Sequence, residues 1–272
     1  MAPSPRTEPV DETVWQEDGS GLPVILIHGL GMDRHMWAGQ VRDLAKRYKV
    51  ITYDLVGHGE SSKKPGPYNL AMFAEQVRLL ADARGLDRFA LVGFSLGGLI
   101  AQTFALAYPE RLTAVVIMNA IYDRTLEERA AVRARAEAIA RDGPAATVDA
   151  ALGRWLTPGF RRARPDIEAI IRRRVMTNDP ASYAAAYHVF AEADPKLAGR
   201  LHGIRCPALV ITGEDDVGSN PHMAKRMAEA IPGAELVILP DLRHLAPMEG
   251  PEAMNAALLD FLEHALSNVR PT

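Results

Sequence analysis

The sequence contains little that could serve disulfide bonding, metal binding or membrane insertion. Its one cysteine, Cys206, cannot form a disulfide within the chain, and neither a Cys-x-x-Cys pair nor an H-E-x-x-H motif is present to bind a metal ion. No stretch approaches the ~18 consecutive apolar residues of a membrane-spanning helix. Prolines interrupt residues 1–7, where a signal peptide carries its apolar run. These absences predict a cytoplasmic protein with no membrane partner.

An excess of charge of either sign is also missing. The chain has 31 Lys and Arg residues against 34 Asp and Glu residues, a formal net charge of −3. Without an overall positive field, it has no means of condensing onto a phosphate backbone, so nucleic acid is not an expected partner. The 272 residues are 48% hydrophobic and 24% charged, which excludes a disordered or fibrous protein and fits one α/β domain with an insertion.

Short apolar runs alternate with helical patterns along most of the chain. Runs rich in Val, Ile and Leu predict buried strands at residues 24–28, 50–54, 90–94, 114–118, 208–212 and 235–239. Apolar residues recur at helical spacing over residues 70–80 and 254–262. This alternation predicts an α/β fold with a mostly parallel, doubly wound sheet, to which residues 10–17 add an antiparallel edge.

Residues 122–201 break the alternation and show helical patterns without a strand. Glycine and proline breakers divide this stretch into about four or five helices. We therefore expect residues 1–121 and 202–272 to form the α/β core, and residues 122–201 to form a helical lid, or cap, inserted before the last two strands.

The predicted cap contains 14 Lys and Arg residues, thirteen of them arginine, against 11 Asp and Glu residues. Arginines that face a pocket could bind an anionic substrate, since a guanidinium grips a carboxylate with two hydrogen bonds. The alternative is a set of solvated helix faces that carry Glu/Arg pairs. The spread of the arginines over the whole cap favours these surface pairs.

One motif carries a specific chemical signal. Gly93-Phe94-Ser95-Leu96-Gly97 matches the G-x-S-x-G nucleophile elbow, follows a predicted strand and precedes a helical pattern. A serine on this turn has a strained backbone, and glycine at positions 93 and 97 removes the Cβ atoms that would clash. The alternative, a glycine-rich phosphate-binding turn, lacks the accompanying G-x-x-x-x-G-K-[ST] or G-x-G-x-x-G motif. We predict Ser95 as a nucleophile.

A serine hydroxyl needs a neighbouring base, which a third group orients. In the elbow fold the order along the chain is serine, acid, histidine, and the acid and the histidine each follow a strand. His244 alone of the eight histidines lies in the loop after the last predicted strand, so it is the expected base. Three carboxylates at positions 214–216 follow the strand before it. Asp216 is favoured among them, and Asp123 is a more distant candidate.

Catalysis by a serine also needs hydrogen-bond donors for the oxyanion and a pocket that binds the substrate. The backbone N–H groups of Leu96 and Leu30 are the predicted oxyanion donors, the second from the glycine-containing loop after the first parallel strand. A plain glycine turn is the alternative interpretation of that loop. Ligands in this fold bind outside the carboxyl ends of the strands, beneath the cap. The candidate pocket residues are Met36, Phe94, Tyr122 and Trp155.

Several stretches together match one known family: His28-Gly29-Leu30-Gly31 with Trp37, Asp54-Leu55-Val56-Gly57-His58-Gly59-Glu60-Ser61, Gly93-Phe94-Ser95-Leu96-Gly97-Gly98, Gly213-Glu214-Asp215-Asp216, and His244 followed by Glu249. Through them the sequence resembles the α/β-hydrolase superfamily over nearly its whole length. It looks most like the branch of 3-oxoadipate enol-lactonases, small esterases and cofactor-free haloperoxidases.

The resemblance implies that the acid is the third residue after Gly213, which selects Asp216 over Asp215. The sequence departs from the family pattern at two places. Arg243 stands where a glycine commonly precedes the histidine, and residues 217–220 replace the usual turn. Both departures are expected to reshape the mouth of the pocket.

We therefore predict hydrolysis of a small-molecule carboxylic ester or lactone through an acyl-serine intermediate. The serine mechanism is self-contained, so the sequence implies neither a metal nor an organic cofactor. A carbon–carbon bond hydrolase or a perhydrolase could use the same residues, and a non-catalytic ligand receptor is a further alternative. The oligomeric state stays open between a monomer and a homodimer.

Overall fold

A single mixed sheet lies at the centre of the computed structural model, which describes residues 6–8, 12–64 and 66–267. Within these residues the sheet has eight strands in the spatial order β1-β2-β4-β3-β5-β6-β7-β8. The pairs β1–β2 and β2–β4 are antiparallel, and all other neighbours are parallel. The strands are β1 (Arg6–Glu8), β2 (Thr13–Asp18), β3 (Pro23–Ile27), β4 (Lys49–Tyr53), β5 (Phe89–Phe94), β6 (Leu112–Met118), β7 (Ala208–Gly213) and β8 (Glu235–Leu239).

The six predicted buried strands are confirmed as β3 to β8, with bounds that differ by at most two residues. The edge strand expected at residues 10–17 is present as the antiparallel β2, although residues 10 and 11 lie outside the described residues. Strand β8 differs from the expectation of full burial, because its first two residues are exposed. It is the last strand at its edge of the sheet, so a neighbour covers one side only.

Helices cover both faces of the sheet. Alternate residues of β3 show the two layers. Ile25 and Ile27 pack in the layer of α2 (Leu70–Ala83), α3 (Leu96–Ala107) and α10 (Pro221–Ala230). Val24 and Leu26 pack in the layer of α1 (Ala38–Leu44) and α12 (Pro251–Leu266). Asn69 and Asn220 cap α2 and α10 by accepting backbone N–H groups. The short helix α11 (Ala246–Glu249) precedes α12.

The segment between β6 and β7 is helical, as predicted. Residues 122–201, all of them described, form six α-helices rather than four or five. Proline at the first turn starts a new helix at Pro158, Pro165 and Pro180, because its ring cannot continue the preceding one. We propose that this segment is the predicted cap. Its helices are α4 (Leu126–Asp142), α5 (Val148–Trp155), α6 (Pro158–Ala163), α7 (Pro165–Met176), α8 (Pro180–Glu192) and α9 (Asp194–Leu197).

No helix in the part of the chain that the structure describes combines the length and the apolar character needed to cross a membrane.

Candidate active site

Ser95 lies on the sharp turn between β5 and α3, with a φ of 54° and a ψ of −112°. A residue with a side chain rarely adopts this conformation, so the surroundings must hold it in place. A Cβ atom at Gly93 would lie 2.1 Å from the carbonyl oxygen of Gly97, and one at Gly97 would lie 2.3 Å from that of Ile27. Both glycines of the motif are therefore steric requirements of the turn.

His244 and Asp216 meet Ser95 at the carboxyl ends of the parallel strands. The His244 Nε2 atom is 3.1 Å from the Ser95 Oγ atom, and its Nδ1 atom is 2.8 Å from the Asp216 Oδ2 atom. With its proton on Nδ1, the imidazole donates to the carboxylate and leaves Nε2 free to accept the proton of the serine hydroxyl. The three side chains predicted from the sequence thus form one hydrogen-bonded chain.

Asp216 is almost completely buried and is well supplied with donors. Its Oδ1 atom accepts the backbone N–H groups of Gly218 and Ser219 at 2.9 and 3.0 Å, and its Oδ2 atom accepts the Asn119 amide at 3.0 Å. Burial alone would raise the pKa of Asp216, but the charge of His244 and these hydrogen bonds outweigh burial and hold the pKa below its usual value. The carboxylate therefore stays ionised beside the imidazole.

The other carboxylates considered from the sequence do not reach the histidine. Glu214 and Asp215 are exposed. Asp123 is also exposed and lies 3.4 Å from the Arg226 guanidinium. Among the four candidates, Asp216 is the one that contacts His244.

Asn119 is a site residue that was not predicted from the sequence. It follows β6 directly, is fully buried, and donates its amide to Asp216 as well as to the Thr212 hydroxyl at 3.2 Å. Its φ of 44° is a left-handed conformation that asparagine tolerates better than most residues. An asparagine at the carboxyl end of a central strand was the available signal.

The predicted oxyanion donors lie close to Ser95. Leu96 is the first residue of α3, and the first N–H groups of a helix have no intrahelical acceptor. Within the described residues, the Leu30 N–H also has no acceptor. A Cβ atom at Gly29 would lie 3.2 Å from the Cβ atom of Ser95. The loop that carries Leu30 therefore runs beside Ser95. Both N–H groups thus remain predicted oxyanion donors.

Two contacts from the cap hold the loop that contains Leu30. The Asn178 amide donates to the Gly31 carbonyl oxygen at 3.0 Å, and the Arg174 guanidinium lies 2.5 Å from the Asp33 carboxylate. Because Asp33 is buried, the ion pair is sheltered from solvent on one side. Both contacts come from the end of α7 and the turn that follows it.

A cavity of about 230 Å³ opens onto Ser95 and His244. Two of the four predicted pocket residues contribute to its walls. The Phe94 and Trp155 rings lie with their centroids 5.1 and 6.3 Å from that of His244. Other apolar walls of the cavity come from Leu30, Met32, Ile121, Val132, Tyr183 and Phe190.

Met36 and Tyr122, the other two predicted pocket residues, are not among the residues that line this cavity. Met36 sits in the 3₁₀ turn Arg34–Trp37 and packs into the core layer of α1 and α12. Tyr122 packs into the opposite core layer. Both side chains are buried within these core layers, which removes their apolar surface from water.

Comparison with known proteins identifies the family to which the chain belongs. Residues 23–251 match the family model described as alpha/beta hydrolase fold. The chain belongs to the α/β hydrolase family. By this membership the protein is a hydrolase, and the strained serine turn between β5 and α3 has the sequence and the position predicted for a nucleophile elbow.

Relatives extend over nearly the whole chain. The (E)-2-((N-methylformamido)methylene)succinate hydrolase of Acinetobacter baylyi is 32% identical over 251 residues, which are 91% of this chain and 92% of that protein. The 3-oxoadipate enol-lactonase 2 of Acinetobacter baylyi is 31% identical, with 90% of each protein covered. A malate-bound structure of a thermophilic esterase from Thermogutta terrifontis has a TM-score of 0.86 at 32% identity and covers 93% of both chains. The chain is thus similar to enzymes of the branch suggested by its sequence.

In this α/β hydrolase, the histidine loop is joined to the cap. The Arg243 guanidinium donates to the carbonyl oxygens of Gly153 and Leu156 in the cap. Glu249 accepts the backbone N–H of Thr157 at 2.8 Å with one oxygen and the backbone N–H of Arg243 at 3.1 Å with the other. The departure from the family pattern at position 243 therefore adds a link between His244 and the cap helix α5.

Across residues 6–8, 12–64 and 66–267, no group of three or more His, Cys, Asp or Glu side chains could hold a metal ion.

Proposed function

We propose that the protein hydrolyses a carboxylic ester or lactone through an acyl-serine intermediate. The observation that carries the proposal is the hydrogen-bonded chain from Ser95 Oγ through the His244 imidazole to Asp216. A serine hydroxyl is a weak nucleophile until a neighbouring base takes its proton, and this chain provides the base and orients it.

In the first half of the reaction, Ser95 Oγ attacks the carbonyl carbon and its proton moves to His244 Nε2. The carbonyl oxygen becomes an oxyanion, for which the N–H groups of Leu30 and Leu96 are the proposed donors. Asp216 remains ionised and stabilises the imidazolium. Collapse of the tetrahedral intermediate breaks the carbon–oxygen bond, and the leaving alkoxide takes the proton from His244.

In the second half, water attacks the acyl-serine and gives its proton to the same imidazole. A second tetrahedral intermediate collapses, Ser95 recovers its proton, and the carboxylic acid leaves. In a lactone the alcohol and the acid are parts of one molecule, so the same steps open the ring and release a single hydroxy acid.

The serine at position 95 and the similarity to an enol-lactonase and an esterase favour an ester or lactone. Members of this fold that open epoxides or remove halides use an aspartate at the elbow, and this chain has none there. Because one fold supports many reactions, a substrate panel must separate the alternatives. A carbon–carbon bond hydrolase would cleave a vinylogous diketone and no ester. A perhydrolase would need hydrogen peroxide, and a receptor would bind a ligand without turnover.

The direct test replaces the nucleophile. Ser95→Ala is expected to lower turnover of a short p-nitrophenyl ester by about 10⁶-fold, because the three side chains act as a unit. The exposed Ser267 gives a matched control, and Ser267→Ala should retain full activity. A fluorophosphonate should add its mass to the peptide around position 95 in the wild-type protein and in Ser267→Ala, but not in Ser95→Ala. Unchanged turnover in Ser95→Ala would end the proposal.

A further inference from the structure

The thirteen arginines of the cap fall into three groups. Arg162, Arg173 and Arg200 are exposed and need no partner other than water. Arg135 and Arg154 are half-buried and, within the described residues, have no carboxylate within 4.0 Å. The other eight arginines lie within 4.0 Å of a carboxylate: Arg124, Arg129, Arg133, Arg141, Arg161, Arg164, Arg172 and Arg174. The expectation of surface ion pairs therefore holds for most of the cap and leaves two residues unexplained.

Both unexplained arginines line the cavity that contains Ser95. The carboxylates in the same wall already have partners. Asp216 accepts His244 Nδ1–H, and Glu128 accepts the backbone N–H of Thr125 at 2.7 Å as part of a helix cap. The cavity thus presents two guanidinium groups that lie more than 4.0 Å from every carboxylate of the described residues.

This arrangement is unfavourable without an anion. Burial lowers the pKa of Arg154, and the charge of the neighbouring Arg135 lowers it further. Guanidinium groups nevertheless stay charged in proteins, so the two positive charges repel each other in a partly desolvated site. A residue pair that only packed against the cavity wall would be more stable with uncharged side chains.

The hydrogen-bonding groups around the pair suit a carboxylate. Arg135 Nε donates to the Tyr187 hydroxyl oxygen at 3.3 Å, which leaves the terminal nitrogens of Arg135 for a ligand. The Tyr187 hydroxyl accepts this hydrogen bond, so its O–H group can donate to an anion in the same cavity. Guanidinium groups bind planar carboxylates with paired, charge-assisted hydrogen bonds.

We propose that Arg135 and Arg154 form an anion subsite that binds a free carboxylate of the substrate. The cavity, at about 230 Å³, is smaller than a typical drug-sized pocket of ~300–1,000 Å³, so the carboxylate and the reacting carbonyl belong to one small molecule. The substrate class is a small ester or lactone that carries a carboxylate. The assignment of the cleaved bond rests on the proposed function, whereas the binding of the anion does not.

The test compares monomethyl glutarate with methyl pentanoate, which has a methyl group in place of the carboxylate. The wild-type enzyme should have a kcat/KM at least about tenfold higher for the anionic ester, since hydrogen bonds to charged groups are strong. In Arg154→Gln and Arg135→Gln, the ratio of the two kcat/KM values should fall by about ten- to a hundredfold. Arg154→Lys keeps the charge and loses the paired geometry, so its ratio should be intermediate.

Arg173→Gln is the matched control, because Arg173 is an exposed arginine of the same cap. It should leave the ratio unchanged. Thermal unfolding of each variant checks that the fold is intact, and the ratio itself cancels any loss that affects both esters equally. Equal losses for both esters in Arg154→Gln and Arg135→Gln would show a purely structural role and overturn the proposal.

A binding measurement separates the subsite from the reaction. Calorimetry on Ser95→Ala should give a dissociation constant for monomethyl glutarate that rises at least about tenfold when Arg154→Gln is added. If the monomethyl esters of succinic, glutaric and adipic acid all react no faster than their neutral counterparts, and none binds better, the subsite does not exist. If Ser95→Ala retains turnover, the proposed reaction fails while the binding result still decides the subsite.

Discussion

The backbone N–H of Leu245 donates to the carbonyl oxygen of Trp155 at 3.0 Å. Leu245 follows His244 directly, and Trp155 is the last residue of α5, so this bond ties the histidine loop to the cap. Arg243 and Glu249 add further hydrogen bonds across the same boundary. A substrate that contacts the cap therefore contacts a segment that also positions the imidazole of His244.

Removing Glu249 should impair catalysis although its side chain lies outside the cavity. Glu249→Ala leaves the backbone N–H groups of Thr157 and Arg243 without their acceptor, and a shift of about 1 Å in a reacting group can cost about 10²-fold. We expect kcat to fall by about ten- to a hundredfold with a smaller change in KM. Steady-state kinetics and the rate of fluorophosphonate labelling of Ser95 measure the effect. Glu252→Ala, at an exposed position nearby, should match the wild type, and a similar loss there would contradict the positioning role.

The hydrogen bond from the Asn119 amide should help to keep the Asp216 carboxylate ionised. Asn119→Gly removes the amide donor and still permits the positive φ, so the pKa of Asp216 should rise. A carboxyl with a lowered pKa in the folded state stabilises the protein above its unfolded pKa, and that stabilisation is lost as the pH falls through the folded pKa. The acid-unfolding midpoint should therefore move to higher pH, and kcat should fall about tenfold. Urea unfolding between pH 7 and 3 tests this, and an unmoved midpoint would count against it.

The buried pair His28 and His58 should make the fold sensitive to mild acid. Burial lowers their pKa values to about 4 and about 3, and the His28 ring accepts the Leu55 N–H while it donates to the Gly29 carbonyl oxygen. The unfolded chain binds protons near pH 6.5 and the folded chain does not. Stability should therefore fall between pH 6.5 and about 4, by up to about 1.4 kcal/mol per pH unit for each ring.

Denaturant unfolding at several pH values measures this slope. His28→Gln removes one titrating ring and should make the slope shallower, whereas the exposed His264→Gln should leave it as it is. A wild-type stability that does not change over this pH range would refute the expectation.

The elbow glycines should tolerate no side chain. In Gly97→Ala the new Cβ atom would lie 2.3 Å from a backbone oxygen, which cannot move as a flexible side chain could. We expect a loss of at least about 3 kcal/mol of stability, or no soluble protein. Gly159→Ala, in cap helix α6, meets nothing closer than 4.0 Å and should change stability by less than about 1 kcal/mol. Thermal unfolding of both variants measures these changes in stability. A Gly97→Ala variant as stable as the wild type would disprove the steric argument.

Much of the fold could be predicted because local sequence and burial agree. In β3, Val24 and Leu26 face one core layer and Ile25 and Ile27 face the other, so every residue of the strand must be apolar. Such a run is visible without a structure. The three-residue β1 was not predicted, because a short edge strand has no such signature.

The site was predictable where it depends on a motif and unpredictable where it depends on packing. Ser95 and His244 follow from the elbow and from the order of loops after strands. Asp216 contacts the histidine while Asp215 faces solvent, a difference set by the turn whose N–H groups bind Asp216. Met36 and Trp155 are both large apolar side chains near the site, and only the packing of their elements decides which of them faces the cavity.

The sequence by itself determined the parallel sheet, the strained serine turn and the order of the candidate triad, because each follows from residues that are neighbours along the chain. It also determined that the cap has thirteen arginines. Only the tertiary structure decided that most of these pair with carboxylates and that Arg135 and Arg154 are left facing the cavity. Ion pairs such as Arg174 with Asp33, and the burial of Arg135 and Arg154, depend on distances between residues far apart in the chain, and folding alone sets those distances.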